Sequence, residues 1–427
     1  MEVDILLIAV AVLGFALLAG RLGGTPITMP MIFTGAGLLL GQHVLGVVDV
    51  GLDSEAVSVL AEVALVAVLF TDASRMHLGA VLREHAIAVR LLTVGMPLAM
   101  IVGAVVAALL YPELPWVTVA LLAVALAPTD AALGQSFVTN DAVPTRIRQS
   151  LNVESGLNDG LALPFLLVLV DLARSEAGEF WHYVWLFVAM VGFGTLAGAV
   201  AGWLGGRLLT WSAQHDWTTA TTQRLGTIAI AAIAYAAAES VGGNGFVAAF
   251  VAGLTIGTTA RSLLETTSIF AETEGQLLTL LTFLFFGAVV AGDVLSELSW
   301  RTAAYAALSL LVVRPLATAL ALIGSRLSWT SVAFIGWAGP RGLASIVYAV
   351  IIVEAGQISG ADEVFSVAAW TIIFSILLHG LSAAPLSRRY GAYVDTVLPT
   401  DAPERQEVSE LPVRLPPRRG KKAEEQA

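Results

Sequence analysis

The sequence predicts an all-α polytopic membrane protein, and three observations carry that expectation. Of 427 residues, 57% are hydrophobic and only 13% are charged, about half the charged share of a soluble domain. Apolar stretches long enough to cross a bilayer core, about 20 residues each, recur along the chain. Arginine falls between alternate stretches, as the positive-inside rule requires. An ordinary soluble enzyme, a nucleic-acid binder and a disordered scaffold are excluded, because so few charges cannot cover a soluble surface of this size. With no cysteine, disulfides, thiol nucleophiles and Cys-ligated metals are excluded as well.

Taken in order, the chain offers thirteen spans, at about 5–20, 26–41, 55–72, 86–111, 115–137, 149–172, 183–204, 220–239, 246–260, 274–291, 299–323, 329–354 and 364–386. The first lacks a basic leader, since Glu2 and Asp4 precede it, so it reads as a retained helix and not a signal peptide. The ninth is short and follows Gly242-Gly243-Asn244-Gly245, which leaves it tilted or continuous with the tenth. Twelve arginines, from Arg21 to Arg389, fall at one set of ends, and only Arg174 and Arg301 at the other. This places the N-terminus outside and the C-terminus in the cytoplasm, with the chain in the cytoplasmic (inner) membrane. Residues 1–389 form the transmembrane domain. Residues 390–427, rich in acids and proline with no apolar run, read as a disordered cytoplasmic tail.

Two spans carry breaks. Span 5 contains Ala127-Pro128-Thr129-Asp130 and span 12 contains Gly339-Pro340-Arg341-Gly342. Proline removes a backbone donor, and non-helical backbone is tolerated in a membrane only where protein or a cavity satisfies it. Pro128 and Pro340 lie seven spans apart, an odd offset, so the two segments cross in opposite senses. Spans 1–6 and 8–13 then form two inverted six-helix repeats with crossed broken helices, and span 7 links them. Paired breaks of this kind point to a transport site.

Charge inside the bilayer is costly and marks function. The mid-span candidates are Asp130, Glu154, Asp159, Arg314 and Arg341. Asp159 reads as a carboxylate that holds a proton and a small cation in turn, because desolvation brings the two into competition. Asp130, at a break, either ligates the ion or neutralises a half-helix N-terminus. Glu154 shares a helix face with Asn158 and needs a cationic partner; Arg314 is favoured, with Arg341 packing the crossover. Thr129, Ser155 and Asn158, together with carbonyls freed at the break, offer the neutral oxygens that a dehydrated Na⁺ at Asp159 requires. Asp72, beside Arg75, is a secondary candidate that reads as solvated. The six histidines lie mostly in loops and form no metal spacing, and no serine has a His/Asp constellation. The chain is read as no enzyme and as needing no cofactor.

Pro128-Thr129-Asp130, Glu154-Ser155-Gly156-Leu157-Asn158-Asp159-Gly160, Gly339-Pro340-Arg341-Gly342 and Leu378-His379-Gly380-Leu381-Ser382 resemble the monovalent cation/proton antiporter family, in particular NhaP-type Na⁺/H⁺ antiporters. The resemblance implies thirteen helices, a homodimer, and a six-helix core with two crossing broken helices. It implies that Asp159 exchanges ion and proton, that Asp130, Thr129, Ser155 and Asn158 surround the site, and that Glu154 pairs with an arginine. Asn158 in place of an aspartate implies one cation per proton. Thr-Asp-Ala stands where many relatives have Thr-Asp-Pro, which leaves Na⁺, Li⁺ and K⁺ open as cargo. A K⁺/H⁺ antiporter of the same fold is the alternative. A cation channel is disfavoured by paired buried charges, and a membrane sensor by the short tail.

Overall fold

The computed structural model describes residues 27–41, 44–46, 55–130, 133–174, 180–260, 277–290, 294–295 and 298–411, with residues 10, 13, 14 and 17 in the first span. The remainder of span 1, and residues 412–427 of the tail, lie outside the described residues. Helices account for nearly all the regular structure described.

The helices follow the apolar stretches. They are α1 (Met29–Leu40), α2 (Glu55–Ser74), α3 (Leu78–Glu84), α4 (Ala86–Leu110), α5 (Trp116–Ala125), α6 (Gln135–Thr139), α7 (Thr145–Arg174) and α8 (Phe180–Gln214). Next come α9 (Ala220–Ser240), α10 (Gly245–Thr259), α11 (Leu277–Val290) and α12 (Trp300–Ala321). The last are α13 (Trp329–Trp337), α14 (Leu343–Glu354) and α15 (Ala361–Val397). The ninth span, α10, ends at Ala260, whose N–H closes on Ile256 O.

Small residues set the close contacts, as expected where lipid supplies no hydrophobic drive between helices. Gly194, Gly198 and Gly202 form a stripe on α8. A methyl added at Gly198 would sit 2.3 Å from Ala248 O of α10, and one at Gly202 would sit 2.6 Å from Ala252 O. Away from the stripe α8 is apolar and exposed, with Trp181, Trp185, Leu196 and Leu208 all more than 60% accessible.

Prolines shape the helices around the site. In α4 a wide π turn, Leu91–Gly95, precedes Pro97; in α12 another, Ser309–Val313, precedes Pro315. In each, the proline cannot donate to the carbonyl four residues back, and the helix widens to absorb the loss. Pro164 lies inside α7 and Pro385 inside α15. Spans 4, 5 and 6 thus each carry a proline, as spans 11, 12 and 13 do.

Residues 390–411 depart from the expected disorder. The last helix runs through residue 390 to Val397, and residues 398–411 fold back onto the arginine-rich end. Arg146 Nη1 donates to Pro403 O at 2.6 Å. The Glu404 carboxylate, 1% exposed, accepts from Ser328 N and from Ser331 Oγ, each at 2.8 Å. Ser409 N donates to Glu84 Oε2 and Leu411 N to Gln149 Oε1. A polar composition concealed these anchors, because order here comes from three scattered buried residues, Ala402, Glu404 and Leu411, and not from an apolar run.

Candidate functional site

The two breaks meet. α5 stops at Ala125 and α13 at Trp337, and the irregular segments that follow cross with Asp130 N donating to Pro340 O at 2.9 Å. Each end of the crossing faces a charge of the opposite sign. Asp130 Oδ2 accepts from Leu343 N at 3.1 Å, capping the N-terminus of α14, where the helix dipole favours an anion. Gly342 is required here, because a Cβ would lie 2.3 Å from that oxygen. Arg341, 1% exposed, reaches the carbonyl end of α5. Its Nη1 donates to Ala127 O at 2.7 Å and to Pro128 O at 3.1 Å.

The geometry revises one expectation. The carbonyls freed at the first break were expected to face a cation. Instead Arg341 donates to Ala127 O and Pro128 O, and the Ser155 hydroxyl donates to Thr129 O. A bare carbonyl in a membrane needs a donor, and a fixed guanidinium provides it.

α7 runs beside the crossing. Its residues Glu154, Ser155, Asn158 and Asp159 are all buried, at 4%, 9%, 2% and 7% exposure. Asn158 Nδ2 donates to Thr129 Oγ1 at 2.7 Å. Tyr348 of α14 donates its hydroxyl to the backbone carbonyl of Asp159. Both broken helices therefore grip the turn that carries Asp159.

Glu154, on the same face as Asn158, forms a bidentate pair with Arg314 of α12, Nη1 to Oε1 at 2.8 Å and Nη2 to Oε2 at 3.0 Å. The guanidinium packs against Gly339, where a Cβ would stand 1.7 Å from Nε. Asp72 is 8% exposed and not solvated, because α10 lies directly on this end of α2. Methyls at Gly253 and Gly257 would strike Phe70 O and Ser74 O at 2.2 and 2.3 Å.

His379, inside span 13 and given no role of its own in the sequence, is 1% exposed within α15. Its ring stacks on Trp337 with centroids 4.5 Å apart. Nε2 lies 3.0 Å from Trp337 O, the last carbonyl of α13, and Nδ1 lies 3.3 Å from Ser375 Oγ. Ser375 Oγ accepts from Arg341 N at 2.7 Å. Nδ1 also lies 3.0 Å from Ser375 O, so the ring is held between two carbonyl oxygens and the Ser375 hydroxyl. Tyr348 and Ser375 went unnoticed in the sequence. Their partners are 189 and 34 residues away, and no local pattern marks them.

The family model for the transmembrane sodium/hydrogen exchanger matches residues 6–389. The chain belongs to this family. It is 28% identical over 392 residues to the K⁺/H⁺ antiporter NhaP2 of Shewanella oneidensis, an alignment covering 90% of this chain and 65% of that one. It is 27% identical over 405 residues to the K⁺/H⁺ antiporter NhaP of Alkalimonas amylolytica, covering 92% and 68%. The chain thus spans about two thirds of the length of these relatives. Its fold matches that of the sodium proton antiporter MjNhaP1 of Methanocaldococcus jannaschii with a TM-score of 0.73. That match has 19% identity and covers 93% of this chain and 99% of the other. As a member of the sodium/hydrogen exchanger family, it is a multi-pass membrane protein.

Proposed function

We propose that this exchanger-family protein carries out antiport of a monovalent cation, Na⁺ or Li⁺ and alternatively K⁺, against H⁺ by alternating access. The observation that carries the proposal is the placement of buried Asp159 on a helix turn held by both broken spans. Asp159 binds a dehydrated cation or a proton, never both. Thr129, Ser155, Asn158 and Asp130 hold the surrounding geometry. Glu154, Arg314 and Arg341 keep the core assembled as it moves, with Pro128 and Pro340 at its two breaks. An uncompensated Asp159 carboxylate would have to cross in a low-dielectric interior, where desolvation exceeds what the core can repay, so the empty site does not cross. Exchange of one cation for one proton is the resulting stoichiometry.

The parallel placement of prolines in spans 4–6 and 11–13 supports an inverted repeat within a thirteen-span architecture. Residues 1–389 then form the transmembrane domain, with the N-terminus outside and the C-terminus in the cytoplasm of an inner-membrane protein. The exposed apolar side of α8 needs lipid or a second copy against it, which fits a homodimer. The test is reconstitution into proteoliposomes with proton flux driven in turn by Na⁺, Li⁺ and K⁺. Asp159→Asn is expected to abolish exchange in all three while the protein remains folded. Full antiport by that variant would overturn the mechanism. Flux driven by K⁺ but not by Na⁺ would select the K⁺/H⁺ alternative.

A further inference from the structure

Two residues that each carry an unpartnered buried polar atom line one small cavity beside the site. The cavity has about 10 Å³ of room for the centre of a water molecule. Its polar walls are Glu154, Asn158, Arg314 and Thr318, and its apolar walls include Met96 and Ala317. Arg314 Nε and Asn158 Oδ1 are buried and have no hydrogen-bond partner among the described residues. The remaining polar atoms of both side chains are engaged. Both Nη atoms of Arg314 hold Glu154, and Nδ2 of Asn158 holds Thr129.

We propose that this cavity is a binding site for a single water molecule that bridges Arg314 Nε to Asn158 Oδ1. The chemistry narrows the ligand to water. A cation is repelled by the guanidinium and an anion by the Glu154 carboxylate. The volume matches one water at the roughly 10–15 Å³ such a site needs. Arg314 brings a free donor to the lining and Asn158 a free acceptor, and the carboxylate of Glu154 offers a third partner. Leaving both atoms dry would incur the full desolvation penalty of two buried polar groups, whereas a bridging water is nearly as good as a direct bond.

The bridge makes Arg314 a clamp on two successive turns of α7. It holds Glu154 directly and Asn158, four residues on, through the water. The amide is thereby fixed with its oxygen toward Arg314 and its nitrogen toward Thr129. Asn158 becomes a positioning residue for Thr129, and its oxygen is not a cation ligand. This rests on the reading of Thr129 as part of the ion site.

Two measurements test it. A map of the wild-type protein with ordered waters resolved is expected to show one at roughly 2.7–3.2 Å from both atoms. That result does not depend on what the protein transports, so it stands apart from the antiport assay. A dry cavity, or an amide turned with its oxygen to Thr129, overturns the proposal. Ala317→Val adds two methyl groups at the cavity wall and leaves every polar partner in place. Displacing an ordered water without replacing its bonds weakens the site it supports. The variant is therefore expected to raise the cation KM by roughly two- to tenfold, one hydrogen bond's net worth, with turnover at saturation retained. An unchanged KM overturns the positioning role. If the variant fails to assemble, the wild-type map alone decides.

Discussion

Replacing Arg314 with methionine is the sharpest perturbation of this core. It removes both bonds to Glu154, at 2.8 and 3.0 Å, from a pair whose residues are 7% and 4% exposed. Each hydrogen bond to a charged group is worth about 1.5–3 kcal/mol, so two account for about 3–6 kcal/mol. Breaking one side of a buried pair costs about 3–5 kcal/mol, because the other charge stays buried alone. The expected destabilisation is therefore about 4 kcal/mol. Glu154→Gln alone should cost a similar amount, since it strands the guanidinium between α7 and Gly339. Combining the two removes both charges, and the double variant should lie within about 1–2 kcal/mol of wild type, as apolar replacements of buried pairs do. The assay is reversible denaturant unfolding in detergent, followed by the fluorescence of the ten tryptophans. Thiol dyes would find no cysteine to label. A single-variant cost below about 1 kcal/mol, or a double variant as unstable as the two singles summed, would refute the buried-pair reasoning.

Three further outcomes are expected. Asp130→Ala should cost about 1–2 kcal/mol through loss of the cap on Leu343 N, and Asp130→Asn should cost less because it keeps an acceptor; the reverse order in the same unfolding assay would exclude capping. Gly342→Ala should destabilise by forcing a methyl onto Asp130 Oδ2, and the penalty should shrink when combined with Asp130→Ala, as a double-variant cycle would read out. The folded-back residues 398–411 should loosen in acid. Burial raises the Glu404 pKa, but the bonds from Ser328 and Ser331 more than offset this and hold it below its ordinary value of 4.5. A lowered folded pKa stabilises the docked segment fully above the ordinary value, and that contribution is lost as pH falls through the folded one. Limited proteolysis after residue 398 should therefore increase below about pH 4, and Glu404→Ala should show the same sensitivity at neutral pH. Equal protection of the wild type at both pH values would exclude this anchor.

Much of the architecture was legible because a membrane imposes few solutions. Apolar length located the helices, and Pro128 and Pro340 located the breaks. The four-residue spacing of Glu154 and Asn158 put them on one face, and the structure does bring Arg314 to Glu154. Legibility failed where partners are distant or where composition is uniform. The π turns before Pro97 and Pro315 were invisible, because a helix apolar on every side shows no slip in its periodicity. His379 lies in a motif that could be noticed, but its stacking on Trp337 depends on α13 ending where it does. The order of residues 398–411 was hidden for the opposite reason, since a few buried groups outweigh a polar average.

The way the crossing is neutralised has a consequence for energetics in a polarised membrane. Asp130 and Arg341 offset one another at the breaks, and Glu154 and Arg314 do so in their pair. In the proposed cycle these four charges sum to zero, which leaves Asp159 to set the charge of the crossing and its ion site. With either a proton or a monovalent cation on board, that assembly is neutral in both directions of travel. Moving one elementary charge through a membrane potential involves about 2.3 kcal/mol per 100 mV, and a neutral assembly neither gains nor spends that energy. Exchange would then respond to the two concentration gradients and be indifferent to whether the cell is energised.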